Sequence, residues 1–256
     1  MWRWPTVQAQ KDKNANVKAK VNTLHAKLIT LASEKWPDPS QNNALADAIY
    51  SAKKDGVTSD MIDRAIRRGA WLDKDAVKVE EIFYEGYAPG GIGIIVRTLT
   101  DNRNRTAPSM RHIFSAFWGN LGETGTVSNF AFDYRGVIHL EPSTDATSLE
   151  MMIMETPAED YIFSDDSVQV FTDRTNFTET RRQLESGGAI VTRASFEYIP
   201  KSSIEVTDFD NALNLYKMLE EFSENEDVDI VWNNADIPDA LWKEVEEYID
   251  ARKFRT

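Results

Sequence analysis

The chain is 256 residues long, 41% hydrophobic and 28% charged, with no cysteine and a formal net charge of −13 at pH 7. That length holds more than one domain with real cores, and the absence of cysteine excludes disulfides, zinc–thiolate sites and thiol catalysis. No apolar run approaches the ~18 residues of a membrane span, and Met1-Trp2-Arg3-Trp4-Pro5 lacks the features of a signal peptide, so a cytoplasmic protein with no membrane partner is expected.

The charge is unevenly spread. Residues 1–78 carry 14 Lys/Arg against 9 Asp/Glu, whereas residues 79–256 carry 15 against 33. Such polarity predicts a basic contact surface on a protein otherwise repelled from non-specific polyanions. Residues 6–34 are predicted as one helix, with Val17, Val21, Leu24, Leu28 and Leu31 recurring every three to four residues. Lys11, Lys13, Lys18, Lys20 and Lys27 fall largely off that stripe. Trp36-Pro37-Asp38-Pro39 stops the helix, since proline excludes the helical conformation for the residue before it. A second helix is predicted over residues 40–55, ended by Gly56. A third, capped by Thr58-Ser59-Asp60, runs to Arg68 and clusters Arg64, Arg67 and Arg68 near its end. Cations there favour the helix dipole and are equally available to a polyanion. Residues 1–78 thus form a basic three-helix domain, with 70–78 as its linker.

From Glu80 the period changes to that of strands. Ile82–Tyr84 and Ile92–Val96 are joined through Gly86 and Pro89-Gly90-Gly91. These glycines precede neither the Lys-Ser/Thr of a P-loop nor the helix of a dinucleotide fingerprint, so they predict a hairpin turn. Arg97, Arg103, Arg105 and Arg111 follow, with Asp101 the one acid between residues 97 and 111. Thr106 is the expected N-cap of a helix over 107–118. Arginines ahead of a helix N-terminus oppose its dipole. An anion meeting both the guanidinium forks and the free amides would resolve that conflict; pairing with carboxylates of the acidic half is the alternative.

Beyond a strand at 127–132, the order strand 137–140, helix 148–154, strand 168–171, helix 177–184, strand 195–199 suggests a ferredoxin-like sandwich. A helix at 209–222 and a strand at 228–232 can complete the sheet begun at Glu81. The intervening acidic turn Glu224-Asn225-Glu226-Asp227 is expected as a solvated face, and a terminal helix covers 238–252. The fold class is therefore α+β. It comprises an N-terminal three-helix domain (1–78), a split α/β domain (79–135 plus 199–256) and an inserted ferredoxin-like domain (136–198). His25, His112 and His139 lack metal-ligand spacing, and no nucleophile elbow occurs. Glu85 and His112 are the pair with an opportunity to meet, but nothing in the pattern requires it. No catalytic residue, metal or cofactor is expected.

These residues resemble the YebC/PmpR family. The resemblance rests on Tyr84-Glu85-Gly86-Tyr87 with Pro89-Gly90-Gly91, Asp101-Asn102-Arg103-Asn104-Arg105-Thr106, Arg111-His112-x-Phe114 and Gly119-Asn120-Leu121-Gly122 with its sequel to Phe132. It weakens after Phe132 and returns at Ile199-Pro200 and Met218-Leu219-Glu220. Two departures stand out: Trp2-Arg3-Trp4-Pro5 replaces the family's Gly-His-Ser-Lys-Trp-like start, and Trp232-Asn233-Asn234 stands where Tyr-His-Asn is common. The resemblance implies the same three domains and a non-enzymatic, DNA-binding transcriptional regulator. The alternative it implies is a ribosome-associated translation factor that relieves stalling at proline-rich stretches, akin to the mitochondrial translational activator of a cytochrome oxidase subunit. The expected partner is nucleic acid, either DNA or ribosomal or transfer RNA, bound by a monomer. Its contacts would come from Lys11, Lys13, Lys18, Lys20, Lys27, Arg64, Arg67, Arg68, Arg97, Arg103, Arg105 and Arg111.

Overall fold

The computed structural model describes residues 15–72, 77–143, 145–164 and 167–253. The backbone forms two compact units, one built from the segments up to Val127 and from Ser203 onward, the other from Ser128–Ser202.

The first unit begins with α1 (Ala15–Ser33), α2 (Asn43–Lys54) and α3 (Ser59–Gly69). Ile29, Leu45, Ala52, Val57, Ile62 and Ala65 close a core between them. Asn42 joins two helix ends: its side chain accepts from the Leu45 N–H, and its amide donates to the carbonyls of Ala32 and Trp36. That arrangement satisfies orphan groups at the start of α2 and the end of α1 together. Helices α1 and α3 meet at their C-terminal ends, where Thr30 Oγ1 donates to the Ala65 carbonyl (3.2 Å) and Ser33 Oγ to that of Ile66 (3.4 Å). Gly69 allows this approach, because a Cβ there would collide with Ser33 Oγ and the Thr30 carbonyl. Gly69→Ala should therefore destabilise the protein by about 2 kcal/mol, the overpacking cost exceeding the gain in helix propensity. Chemical denaturation of the variant checks this; a gain in stability would show that the two helices are free to separate.

Strands β1 (Glu80–Ala88) and β2 (Ile92–Thr100) form an antiparallel hairpin in register from Glu80↔Thr100 to Ala88↔Ile92. Pro89–Gly91 makes the turn, and Gly90 and Gly91 hold φ of +81° and +80°, a region glycine enters without steric cost. Helix α4 (Arg103–Ala116) follows, and β3 (Asn120–Leu121) pairs with β1.

The second unit departs from expectation at its start. Residues 127–132 are not one strand: Ser128–Ala131 is a short helix, α5, and β4 runs from Phe132 to Leu140. The reason lies in Val127, whose N–H goes to the Glu85 carboxylate (2.8 Å) instead of to a ladder partner. Then come α6 (Ala146–Met154), β5 (Asp160–Phe163), β6 (Val168–Thr172), α7 (Phe177–Ser186) and β7 (Val191–Pro200). The sheet order is β5-β6-β4-β7 with every pair antiparallel. A βαββαβ order in that arrangement is the ferredoxin-like fold. Ile138, Leu140, Leu149, Ile153, Val168, Val170 and Leu184 form its core.

The chain then returns to the first unit through β8 (Ile204–Glu205), α8 (Phe209–Glu224), β9 (Val228–Asn233), β10 (Ala235–Asp236) and α9 (Asp239–Lys253). Strand β9 pairs antiparallel with β2, completing the sheet in the order β3-β1-β2-β9, while β8 and β10 make a short parallel pair. Ile92, Ile94 and Val96 of β2 pack with Met110, Ile113 and Phe114 of α4 and with Leu215, Met218 and Phe222 of α8. The fold is thus α+β, as the periodicity indicates. Among the described residues no helix is long and apolar enough to cross a membrane.

Candidate nucleic-acid interface

Helix α4 starts four residues earlier than its periodicity suggests. Asn102 is the cap, its side chain accepting from the Arg105 N–H at 3.2 Å, so Arg103 and Arg105 lie within the first helical turn. Thr106 is turned elsewhere: its hydroxyl donates to Asp227 Oδ2 at 2.8 Å. Asp227 sits at the end of the acidic turn but is no solvated carboxylate; it is 2% exposed. It accepts from Lys27 Nζ at 2.7 Å and from Arg105 Nη2 at 2.9 and 3.1 Å, and buried Thr100 lies beside it. Burial pushes this carboxyl up, but bonds from Lys27, Thr106 and Arg105 outweigh it and hold it below the usual carboxylate range. The anion that the arginine-rich helix start demands is therefore present, and it belongs to the chain itself.

Other expected contacts are drawn into the same network. Lys20 donates to the Ser223 carbonyl, and Lys27 also reaches the Glu226 carbonyl at 3.2 Å, so α1 is clamped to the turn between α8 and β9. Burial lowers the Lys20 ammonium to about 8, against the opposing pull of Asp229. Arg97 donates through Nε to Asp229 at 2.7 Å, faces Glu81 at 3.7 Å and lies 5.9 Å from the Trp232 ring centre. Trp232 in turn stacks on Phe83 at 6.4 Å. Lys20, Lys27, Arg97 and Arg105 are thus engaged by the protein's own acids and carbonyls.

A second set remains at the surface. Lys18, Arg64, Arg67, Arg68, Arg103 and Arg111 are all exposed. Arg64 bends back to the Asp60 carbonyl at 3.1 Å, and Arg103 stands 3.8 Å from Glu80 with 69% of its side chain in solvent. Among the described residues neither Arg68 nor Arg111 has a carboxylate partner. Arg103 also lines an open cleft of about 460 Å³ with Leu31, Glu34, Glu80 and Glu81, whose mixed charge makes it a poor anion pocket. Lys11 and Lys13 lie outside the described residues.

The groups with catalytic potential are otherwise occupied or stand apart. Glu85 is 2% exposed and accepts from the N–H groups of Gly125 (2.9 Å) and Val127 (2.8 Å), so it anchors the loop after β3. His25 pairs with Asp55 at 2.8 Å, His139 lies 3.5 Å from Glu197, and His112 is exposed on α4. What sequence reasoning passed over is a set of exposed tryptophans: Trp36, Trp71 and Trp118 are 63%, 54% and 81% exposed. The signal available was position, since each follows the end of a helix where the apolar stripe has stopped.

With this geometry in view, the comparisons with known proteins are informative. Residues 2–71 match the family described as "TACO1/YebC protein N-terminal domain", and residues 79–235 that described as "TACO1/YebC second and third domain". A "Probable transcriptional regulatory protein" from Halothermothrix orenii is 36% identical over 249 residues, covering 96% of this chain and 98% of that one. One of the same description from Gloeothece citriformis is 40% identical over 245 residues, covering 93% and 96%. Among solved structures, a conserved hypothetical protein from Aquifex aeolicus superposes with a TM-score of 0.81 at 32% identity, over 92% of this chain and 97% of that one. The family's N-terminal domain and its second and third domains are both matched along the chain, and the fold agrees with that of the Aquifex protein: this protein belongs to the TACO1/YebC family.

Proposed function

We propose that the protein is a cytoplasmic, monomeric and non-enzymatic regulator of gene expression that binds nucleic acid through the exposed cations of α1, α3 and α4. The observation that carries this reading is the exposed cluster Arg64, Arg67 and Arg68 on one short helix of a chain whose net charge is −13. Cations held in solvent on an acidic protein contribute little to stability through surface pairing, whereas they supply the phosphate contacts that dominate nucleic-acid affinity. The names of the relatives, which call them probable transcriptional regulatory proteins, support a role in expression. We assign Lys20, Lys27, Arg97 and Arg105 to holding the fold, and Lys18, Arg64, Arg67, Arg68, Arg103 and Arg111 to contact.

One observation favours a translational over a transcriptional target. The exposed side chains of α3 are Ser59, Asp60, Asp63, Arg64, Arg67 and Arg68, without the Asn or Gln that would pair with adenine in a major groove. Arginines can fork onto guanine, but without partners for the other bases their main contribution is phosphate contacts, which position a protein without reading sequence. Sedimentation with ribosomes against matched duplex DNA, each at two salt concentrations, separates the two. Salt-sensitive co-sedimentation with ribosomes alone is the expected result and makes this a translation factor. Salt-sensitive binding to DNA alone restores the transcriptional reading, and binding to neither refutes the proposal.

A further inference from the structure

Among the described residues, the two non-glycine residues with left-handed backbone are both tryptophans, Trp71 at φ +56° and Trp118 at φ +61°. Each occupies the same place in the same motif. After α3, the Leu72 N–H reaches the Arg67 carbonyl (3.0 Å) and the Trp71 N–H that of Arg68 (3.1 Å). After α4, the Gly119 N–H reaches the Phe114 carbonyl (2.8 Å) and the Trp118 N–H that of Ser115 (3.4 Å). Both are Schellman closures with tryptophan at the position that glycine normally fills. A bulky L-residue is disfavoured there, and such strain persists only where something else requires it. Burial is not the requirement, because both rings are more than half exposed.

The surroundings indicate what the rings meet. Trp71 follows exposed Arg67 and Arg68 by four and three residues, and the close approach of Gly69 to Ser33 and Thr30 brings the end of α1 to the same end of the helical unit. Exposed Lys35 and Trp36 follow that helix end. Trp118 stands two residues past the end of α4, the helix that carries exposed Arg111 in its last half. An exposed indole beside an unburied guanidinium fits one polymer in particular: aromatic rings stack on successive bases while cations follow the phosphates. The faces of bases are hidden in duplex DNA but are displayed in the loops and bulges of structured RNA.

We propose that Trp71, with Trp36 beside its helix end, and Trp118 are presenting platforms for unpaired bases of RNA. This rests on the nucleic-acid reading above and names the kind of nucleic acid. The left-handed backbone is the device that holds each indole out from its helix end, next to the arginine that meets the neighbouring phosphate.

Glycine substitution gives a test in which structural and functional roles have opposite signs. Trp71→Gly and Trp118→Gly relieve backbone strain, so each variant should unfold at the same or a higher temperature than the wild type. Each should also bind an unstructured, end-labelled RNA oligonucleotide about tenfold more weakly in fluorescence anisotropy. Affinity for the same RNA in a duplex should not change, and Trp71→Phe should keep most of the single-strand affinity. The ring carries no charge, so the salt dependence of binding should match the wild type. Wild-type affinity for the single strand in both glycine variants overturns the proposal and leaves the tryptophans to a protein partner, while the nucleic-acid reading stands. Equal weakening toward single strand and duplex, or a lower unfolding temperature, overturns it too. Failure of the wild-type protein to bind any nucleic acid refutes the function itself and this inference with it.

Discussion

Replacing Asp227 with alanine should destabilise the protein by about 3 kcal/mol, the loss seen when one partner of a buried charge pair is removed. At this chain length that corresponds to a fall in Tm of roughly 8 °C. The carboxylate is 2% exposed and meets Lys27, Arg105 and Thr106, so its removal leaves a buried ammonium without its counter-charge, while the Thr106 hydroxyl falls back on the Asn102 carbonyl at 3.1 Å. Lys27 suffers most, with 11% of its side chain exposed, whereas Arg105 is 46% exposed and recovers water. Asp227→Asn keeps an acceptor for Thr106 and should fall between wild type and alanine. A cycle with Lys27→Met isolates the pair; a double variant as unstable as the sum of the two singles would show that the lysine and the carboxylate do not interact.

The pH profile carries the same information. The folded Asp227 carboxyl titrates below its ordinary range, so its contribution is complete above the unfolded value near ~4 and is lost as pH falls through the lower folded value. Asp227→Asn should therefore lose less stability on acidification than the wild type does. Lys20 acts at the other end. Folded Lys20 releases its proton near 8 while the unfolded chain keeps it to about 10.5, so stability rises with pH across that interval. Denaturation midpoints across the pH range check both limbs.

Much of this architecture is legible in the sequence, because β2, the second half of α4 and α8 carry clear apolar patterns and Gly90-Gly91 marks the hairpin. The ferredoxin-like unit follows from alternation of strand and helix, although β5, with one of its four residues half-buried and the rest exposed, has too weak a pattern to find. The helix boundary at Asn102 is not legible in the sequence, because arginines in a first turn contradict the dipole until Asp227 is placed beside them from 122 positions away. The same distance explains the mixed fate of the candidate site. Arg103 and Arg105 are indistinguishable as letters two apart, yet one faces solvent and the other a buried acid. The helix-end tryptophans were legible as residues, but not as strained ones, since φ at a helix end depends on which hydrogen bonds close it.

That division between surface and internal cations leads to the second large expected effect. Changing Arg64, Arg67 and Arg68 together to alanine should weaken nucleic-acid binding on the order of 100-fold at low salt. It should also reduce the slope of log K against log salt by about 2, since each lost phosphate contact removes somewhat less than one unit. Unfolding should change by less than about 1 kcal/mol, because exposed charges contribute little to the fold. Arg103→Ala and Arg111→Ala should each reproduce a fraction of this effect. Arg105→Ala should do the reverse: it removes a partner of Asp227, lowers the unfolding midpoint and leaves the salt slope of the folded protein as it was. Anisotropy titrations over a range of salt, paired with denaturation of each variant, read both quantities. An unchanged slope in the triple variant would take α3 out of the interface. A slope that fell in Arg105→Ala would mean that the guanidinium leaves Asp227 for a phosphate when nucleic acid binds, making the buried carboxylate the internal competitor of the ligand.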